Sequence, residues 1–598
     1  MAITPILTRS YDNTRSGSTL NETILTPSSV KTKGIKKLFS VVLTGNARGA
    51  EAQPLLRPSV RMADGVIRDL LIVATMSNVV FAFDANTGTP IWSQRLGTPI
   101  IGSRDIDAYS INDLWGILST PVIDPDTNIV YCVAWSSPDG TWQKGQHNLC
   151  SLDISTGAPV HAPLSLANAT YNPTHGLPTM TFKSVERKQR AGLLLTSISG
   201  AKTLFIGCGS IFESLASNQG WIIAVDVKTF SISAAWTACP AESGGGIWQG
   251  AQGPAADDKG NIYFVTGNGS FDGVTDFGES IVKLAYTPAS TGKSAALQVA
   301  DWWTPWSDAM RTGAKIAGQF HHAVARAHRR RALAAGVAID DHATVTNTND
   351  WGDMDLGSAG ALLIPQLNMV LGSGKDGILY ACKMFDMGKT MSADLLNPNK
   401  NYGKLASPPI WFTFFPGFNV SPTPADISSL DGLFFSRTHH MHSTPVCYNS
   451  LTHGQMLFNW GENECLRAWN VDAHSNINYL ARSFETASPN APVPPGGMPG
   501  GMISLSADGP VDESAILWAC VPYLDANKVI SAGRLLAYDA TSFAPYPGSG
   551  GERIVPLWDS QDWNIHFSHN KFNIPIVSGG KVYVPTYDGT IDVYGLAS

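Results

Sequence analysis

The 598-residue sequence predicts an all-β fold, a single eight-bladed β-propeller of four-stranded antiparallel blades whose last blade is closed by an N-terminal strand. Three observations predict it. The composition is dense in turn residues, with 57 Gly and 37 Pro, and only 15% of residues are charged, against roughly 25% in an average soluble protein. A unit recurs along the chain: apolar strand, turn, apolar strand, then a hydrophobic-x-(Ala/Leu)-x-Asp stretch and a Thr-Gly turn. Within each copy apolar residues alternate at period two and stop at Gly, Asn or Asp, which is the signature of strands joined by tight turns. One unit cannot bury both of its faces, so neighbours must stack, and closing the ring removes the exposed edges.

Taken in order, residues 1–35 form an N-terminal extension, and 36–598 form the propeller. "KKLFSVVL" (36–43) is a strand to spare, and it completes the last blade because the final copy ends almost at the C-terminus without an outer strand. The clearest copy is "LLIVATMSNVVFAFDANTGTPIW" (70–92). "NIVYCVAW…HNLCSLDISTG", "TLFIGCGS…GWIIAVDVKT" and "NIYFVTGNG…ESIVKLAY" follow. Four further copies are "NMVLGSGKDGILYACKM", "QMLFNWGENECLRAWNV", "AILWACVP…RLLAYDAT" and "KVYVPTYDGTIDVYG". An insertion around 308–353 reads as part helix and part irregular, and its basic run "ARAHRRRALAAG" reads as a solvated helix face.

Several function classes are excluded. A net charge of −7 gives no footprint for nucleic acid or an anionic membrane. No apolar run approaches the ~18 residues of a membrane span. The start "MAITPILTRSYDNTRSG" lacks a basic segment followed by an apolar core, so no secretory signal is expected in the chain. The compartment is left as cytoplasmic, or that of a mature secreted or periplasmic form, and the oligomeric state stays open. The eight cysteines include no CxxC pair. Most sit in apolar strand-like runs, where free thiols are the norm, although Cys132 and Cys150 lie on consecutive strands and are a candidate pair. "STGKSA" lacks the upstream Gly of a phosphate loop, and no HExxH or GxSxG pattern occurs.

In an antiparallel blade the loop entering the innermost strand and the loop joining strands two and three emerge on the same face. Residues before each inner strand therefore converge on the mouth of the central channel. That ring comprises Glu51–Gln53, Trp115, Arg190, Trp248 and Gln249, Asp353–Asp355, His439–His442, Met498 and His569–Lys571. Lys375, Asp376, Glu462, Asn463 and Asp588 join it from the second set of loops. "HHMHSTPVCYNS" (439–450) thus places its histidines at the mouth. Imidazoles with carboxylates suit a divalent transition metal, and a His beside a carboxylate equally suits general acid–base chemistry. The expected catalytic residues are His442, His440, Asp355, Glu462 and Lys571, with His440, His442, Asp355 and Glu462 as the metal ligands. Trp248, Gln249, Asn463, Arg190 and Trp115 are the expected cofactor-binding residues, the Trp rings offering flat stacking surfaces.

The repeats resemble the pyrroloquinoline-quinone (PQQ) type of quinoprotein alcohol dehydrogenases and of cofactor-free relatives such as the outer-membrane assembly propeller. "YDNTRSGSTLNETILTP", "WGILSTPVIDP", "GGIWQGAQGPAADDKGNIYFVTGNGSFD", "MDLGSAGALLIP", "HMHSTPV", "NWGENECLRAW" and "MPGGMISLSADG" are similar to a bacterial subgroup of PQQ-like repeat proteins. The resemblance implies the propeller fold and, as a class, oxidoreduction. The family's alcohol dehydrogenases place a disulfide between adjacent cysteines against PQQ, and this chain has neither adjacent cysteines nor a CxxCH haem attachment, which argues against PQQ. The expectation is an enzyme acting at the channel mouth on a small polar substrate (alcohol, sugar or phenolic), an oxidoreductase with a metal or quinone. A non-catalytic propeller binding protein or carbohydrate, and a metal-assisted hydrolase or lyase, are the alternatives.

Overall fold

The structure is a computed structural model. It describes residues 3–45, 48–211, 217–304, 355–375, 377–390, 411–414 (backbone), 440–472, 475, 477–491, 496–547 and 551–597. The insertion around 308–353, His439, Asp353 and Asp376 lie outside the described residues.

The fold is all-β and propeller-like, built from successive four-strand antiparallel orders. The first runs Leu55–Arg61, Ile67–Ala74, Val79–Asp84, Pro90–Arg95, and the next runs from Val122–Ile123 to Leu164–Ser165. Equivalent orders begin at Leu194–Ile198, Ala255–Ala256, Leu362–Ile364, Val446–Ser450 and Met502–Ser506. The last begins at Ile576–Ser578, and its outermost member is Ile35–Val42, paired antiparallel with Thr590–Leu596. Two of these orders are joined edge to edge where Ala481 and Arg482 pair in parallel with Glu552 and Arg553.

Side-chain alternation explains why these strands read as continuous apolar runs. In "LLIVA" (70–74), Leu71 and Val73 enter one hydrophobic cluster, while Leu70, Ile72 and Ala74 enter another on the opposite face. Each sheet is therefore sandwiched, and both sides must be apolar. The first cluster joins Leu56, Leu71, Val73 and Phe83 to Ile576, Tyr583, Ile591 and Val593, so the last sheet packs against the first. At about 1.5–3 kcal/mol per fully buried large aliphatic or aromatic side chain, these inter-sheet layers dominate the stability.

The recurring Asp has a local cause. The carboxylates of Asp84, Asp153, Asp226 and Asp539 each accept backbone N–H groups two and three residues on, for example Asn86 and Thr87 for Asp84. Each is an Asx turn; those at Asp84, Asp153 and Asp226 reverse the chain between the third and fourth strands, and that at Asp539 sits at a register shift within the third strand Gly533–Pro545. All eight cysteines are free, and Cys132 and Cys150, although directly opposite across their strands, are not bridged. Among the described residues no helix is long and apolar enough to cross a membrane.

The N-terminal segment runs through the hub. Ile6 exchanges backbone bonds with Leu56, Leu7 O accepts from Ile123, and Asn13 O accepts from Ala256. Thr14 O, Ser16 O and Gly17 O accept from Leu363, Cys447 and Leu505. Arg15 Nη2 donates to Leu193 O, and Tyr11 Oη accepts from Val577 N–H. Residues 6–17 thus touch the inner strand, or the residue leading into it, of every sheet named above.

His147 gives this interior a pH dependence. It stacks on Trp135 with ring centroids 5.3 Å apart, and its Nδ1 lies 3.1 Å from Ser184 Oγ. Burial pulls its pKa down to about 3, with Arg187 adding to the fall against a Ser184 hydrogen bond. The unfolded chain, at about 6.5, takes up the proton first as pH falls. Stability is therefore full above about pH 6.5 and lost below it, by about 2 kcal/mol at pH 5 from this group. Urea denaturation of His147→Gln is expected to show a pH dependence flatter by that amount.

Candidate functional site

His440 and His442 precede the inner strand Val446–Ser450, and Glu462 sits in the loop between Gly454–Asn459 and Cys465–Val471 of the same sheet. Both loops leave the sheet at one end. Glu462 N–H donates to His440 O at 3.0 Å, which ties the loops together. Met441 is fully buried, its N–H bonded to Gly374 O and its carbonyl to Ser358 Oγ, so the chain is anchored to the preceding sheet between the two imidazoles. The imidazole centroids lie 6.1 Å apart.

One donor atom each from His440, His442 and Glu462 lies within 4.8 Å of the others, the one such group of three among the described residues. His442 Nε2 is 2.7 Å from Glu462 Oε1. His440 Nδ1 is 4.0 Å from the same oxygen, and Gly497 N–H donates to the other, Oε2, at 3.2 Å. Burial alone would raise the Glu462 pKa. The hydrogen bond and charge of His442, the charge of His440 and the Gly497 N–H outweigh it and hold the carboxyl at about 2. Two donors about 2.1 Å from a tetrahedral ion stand about 3.4 Å apart. That value lies between the 2.7 and 4.8 Å limits here, so small side-chain rotations would suffice to hold a divalent ion.

Asp355 is placed elsewhere. Its carboxylate pairs with Lys375 Nζ at 2.8 Å and accepts the Asn268 N–H at 3.0 Å, outside the group of three. Arg190 pairs with the buried Glu51, whose carboxylate also accepts from Asn112 Nδ2 at 2.6 Å. Burial would raise the Glu51 pKa, but Arg190, Lys571, the Asn112 bond and Lys188 bring it below the usual carboxylate range. The Arg190 guanidinium lies 4.1 Å from the centre of the Phe572 ring, whose other neighbour is the His442 ring at 6.2 Å. Phe572 thus links the histidine group to a cationic sector.

In that sector Lys571 Nζ donates to Asn527 Oδ1 at 3.0 Å, and Lys188 Nζ sits 3.8 Å over the Trp115 ring and donates to Ile106 O. Burial, with Lys571 and Arg190 assisting against Asp107 and Glu51, lowers the Lys188 pKa to about 8. Gln249 is fully buried at a φ of 42°, and neither atom of its amide has a partner. Trp248 lies flat over Gly209 and Gly246, where any Cβ would meet its ring. Asn463 turns the loop after Glu462 with a φ of 52° and reaches Ser488 O.

Sequence reasoning did not single out Lys188, Phe572 or Arg9. Arg9 donates to Phe572 O at 2.7 Å and to Ala251 O at 2.9 Å, bracing both segments from the N-terminal stretch. Lys188 was within reach, two residues before Arg190. Nothing local marks Phe572 or Arg9, whose neighbours are hundreds of residues away.

Residues 38–192 match a family model described as outer membrane protein assembly factor BamB, of the PQQ repeat class. Among solved structures the chain is similar to the quinohemoprotein alcohol dehydrogenase ADHIIG from Pseudomonas putida HK5. That likeness has 12% identity, covers 99% of this chain and 80% of that one, and has a TM-score of 0.50. The corresponding enzyme from Comamonas testosteroni is 14% identical, with 99% and 81% coverage and a TM-score of 0.46. No curated protein sequence matches the chain. Residues 38–192 are thus similar to a PQQ-repeat family model, and the chain as a whole shares the propeller-like β fold of the Pseudomonas putida structure.

Proposed function

We propose that residues 36–598 form one eight-bladed propeller closed by Ile35–Val42, and that the chain is an enzyme working at the mouth of its central channel. The ring reading is supported by the pairing of Ile35–Val42 with Thr590–Leu596 and by the hydrophobic layer between the last and first sheets. The observation that carries the site is the buried 2.7 Å contact between His442 Nε2 and Glu462 Oε1, with His440 Nδ1 4.0 Å from the same oxygen. Two imidazoles gathered about one buried carboxylate, with a donor atom of each within 4.8 Å of the others, favour a shared divalent transition metal held by His440, His442 and Glu462. Three protein ligands leave a coordination position open, and such an ion supplies Lewis-acid polarisation of a hydroxyl or carbonyl oxygen. The protein's own part is to keep Glu462 ionised and to present the flat Phe572 ring and the Arg190 charge beside the group.

The substrate class is a small polar molecule, an alcohol, sugar or phenolic. Oxidoreduction is the class we assign, in keeping with the activity named for the Pseudomonas putida relative. PQQ fits less well: the adjacent cysteine pair of the family has no counterpart, since seven of the eight thiols are buried, Cys447 is half-buried, and none is bridged.

The test is metal loading of the purified chain with Zn²⁺, Mn²⁺ or Fe²⁺, followed by gel filtration and elemental analysis. About one equivalent retained supports the reading. No retention of any of the three overturns the metal centre and moves the weight to a binding propeller.

A further inference from the structure

The chain as a whole carries a net charge of −7, but the mouth beside the histidine group is cationic. Arg190 is neutralised by Glu51. Lys571 is 5% exposed, and its ammonium has the neutral Asn527 amide oxygen as its hydrogen-bond partner. Lys188 rests on the Trp115 face and on Ile106 O, also neutral. The carboxylate of Asp107, the acidic group that most affects Lys188, is taken up by the backbone N–H groups of Tyr109, Ile111 and Asn112. Among the described residues neither lysine forms an ion pair. Glu51 is within electrostatic reach of both lysines but is bonded to Arg190, so neither ammonium has a carboxylate in direct contact, and two such groups side by side favour a negative ligand.

We propose that the ligand taken at this mouth carries an oxyanion, carboxylate or phosphate, held by Lys571 and Lys188 while its remainder lies along Phe572 toward His440, His442 and Glu462. The proposal deepens the functional reading above and rests on that mouth being the binding site. Arg190, stacked on Phe572 and paired with Glu51, lies on the cationic side of that ring, and His442 neighbours the ring as well. A neutral ligand gives neither ammonium an ionic partner, so the site discriminates by charge.

The experiment is calorimetric titration of the full chain at low salt, metal-free and metal-loaded, with glycolate, inorganic phosphate and ethylene glycol as probes. Glycolate or phosphate is expected to bind with a Kd on the order of 1 mM or tighter, and ethylene glycol not to bind. The better of the two anions identifies the group. Lys571→Gln and Lys188→Gln are each expected to weaken the anion at least tenfold, whereas Lys33→Gln, on the exposed face of the N-terminal helix, leaves it unchanged. Two independent variants guard against loss of fold in either. The proposal is overturned if neither anion binds, or if both variants retain wild-type affinity. Metal content measured on the same samples separates the two readings. Metal retained without anion binding sinks this proposal alone, and anion binding without metal sustains it while sinking the metal centre.

Discussion

Glu462→Gln is expected to reduce divalent-metal affinity by at least ~100-fold and to bring retained metal from about one equivalent to near zero. The amide keeps the shape and an acceptor for the Gly497 N–H, which is bonded at 3.2 Å. It removes the charge that His440 and His442 stabilise, and it offers a far weaker ligand oxygen than a carboxylate held ionised to about pH 2. Changes outside the ligand shell already cost 10–100-fold, so loss of a ligand must exceed that. His442→Ala is expected to match it, because its Nε2 is the nearest partner of Glu462 Oε1. Elemental analysis and a competition titration read the result. A Glu462→Gln protein that retains stoichiometric metal would show that the ion, if bound, sits elsewhere.

The second large effect concerns stability. Arg15 is fully buried, and its guanidinium donates to Pro254 O at 2.9 Å, Thr8 Oγ1 and Arg9 O at 2.8 Å, and Leu193 O at 3.2 Å. Arg15→Met keeps much of the volume but leaves several carbonyls in the hub without donors, each costing about 1–3 kcal/mol. With partial relaxation the unfolding free energy is expected to fall by about 4 kcal/mol, at the upper end for single substitutions. Arg15→Lys recovers little, because an ammonium cannot reproduce the planar fork. Denaturant midpoints measure this, and a loss under about 1 kcal/mol would mean that residues 6–17 are a passive filling of the channel.

Much of the fold was legible because its causes are local. "DANTG" and its equivalents encode an Asx turn in their own side chains, and "LLIVA" encodes burial on two faces. The convergence of His440, His442 and Glu462 was also legible, because strand alternation and loop parity within one sheet place them at a common end. Asp355 shared the ring position but not the contact: Lys375 lies in the next loop of its own sheet and binds it at 2.8 Å. A ring position specifies a face of the molecule, whereas a partner is chosen over the last few ångströms.

The sequence by itself therefore determined the repeat, the turns, the apolar faces and the sheet end at which His440, His442 and Glu462 meet, since each depends on residues within one short unit. Only the tertiary structure decided that residues 6–17 thread the hub, that Arg9 braces Phe572 from 563 positions away, and that Phe572 sits between Arg190 and His442. The segment 6–17 has no strand periodicity, because its backbone partners are the inner strands of many sheets rather than one neighbour. Such contacts exist once all the sheets have assembled, and no local pattern in the chain can record them.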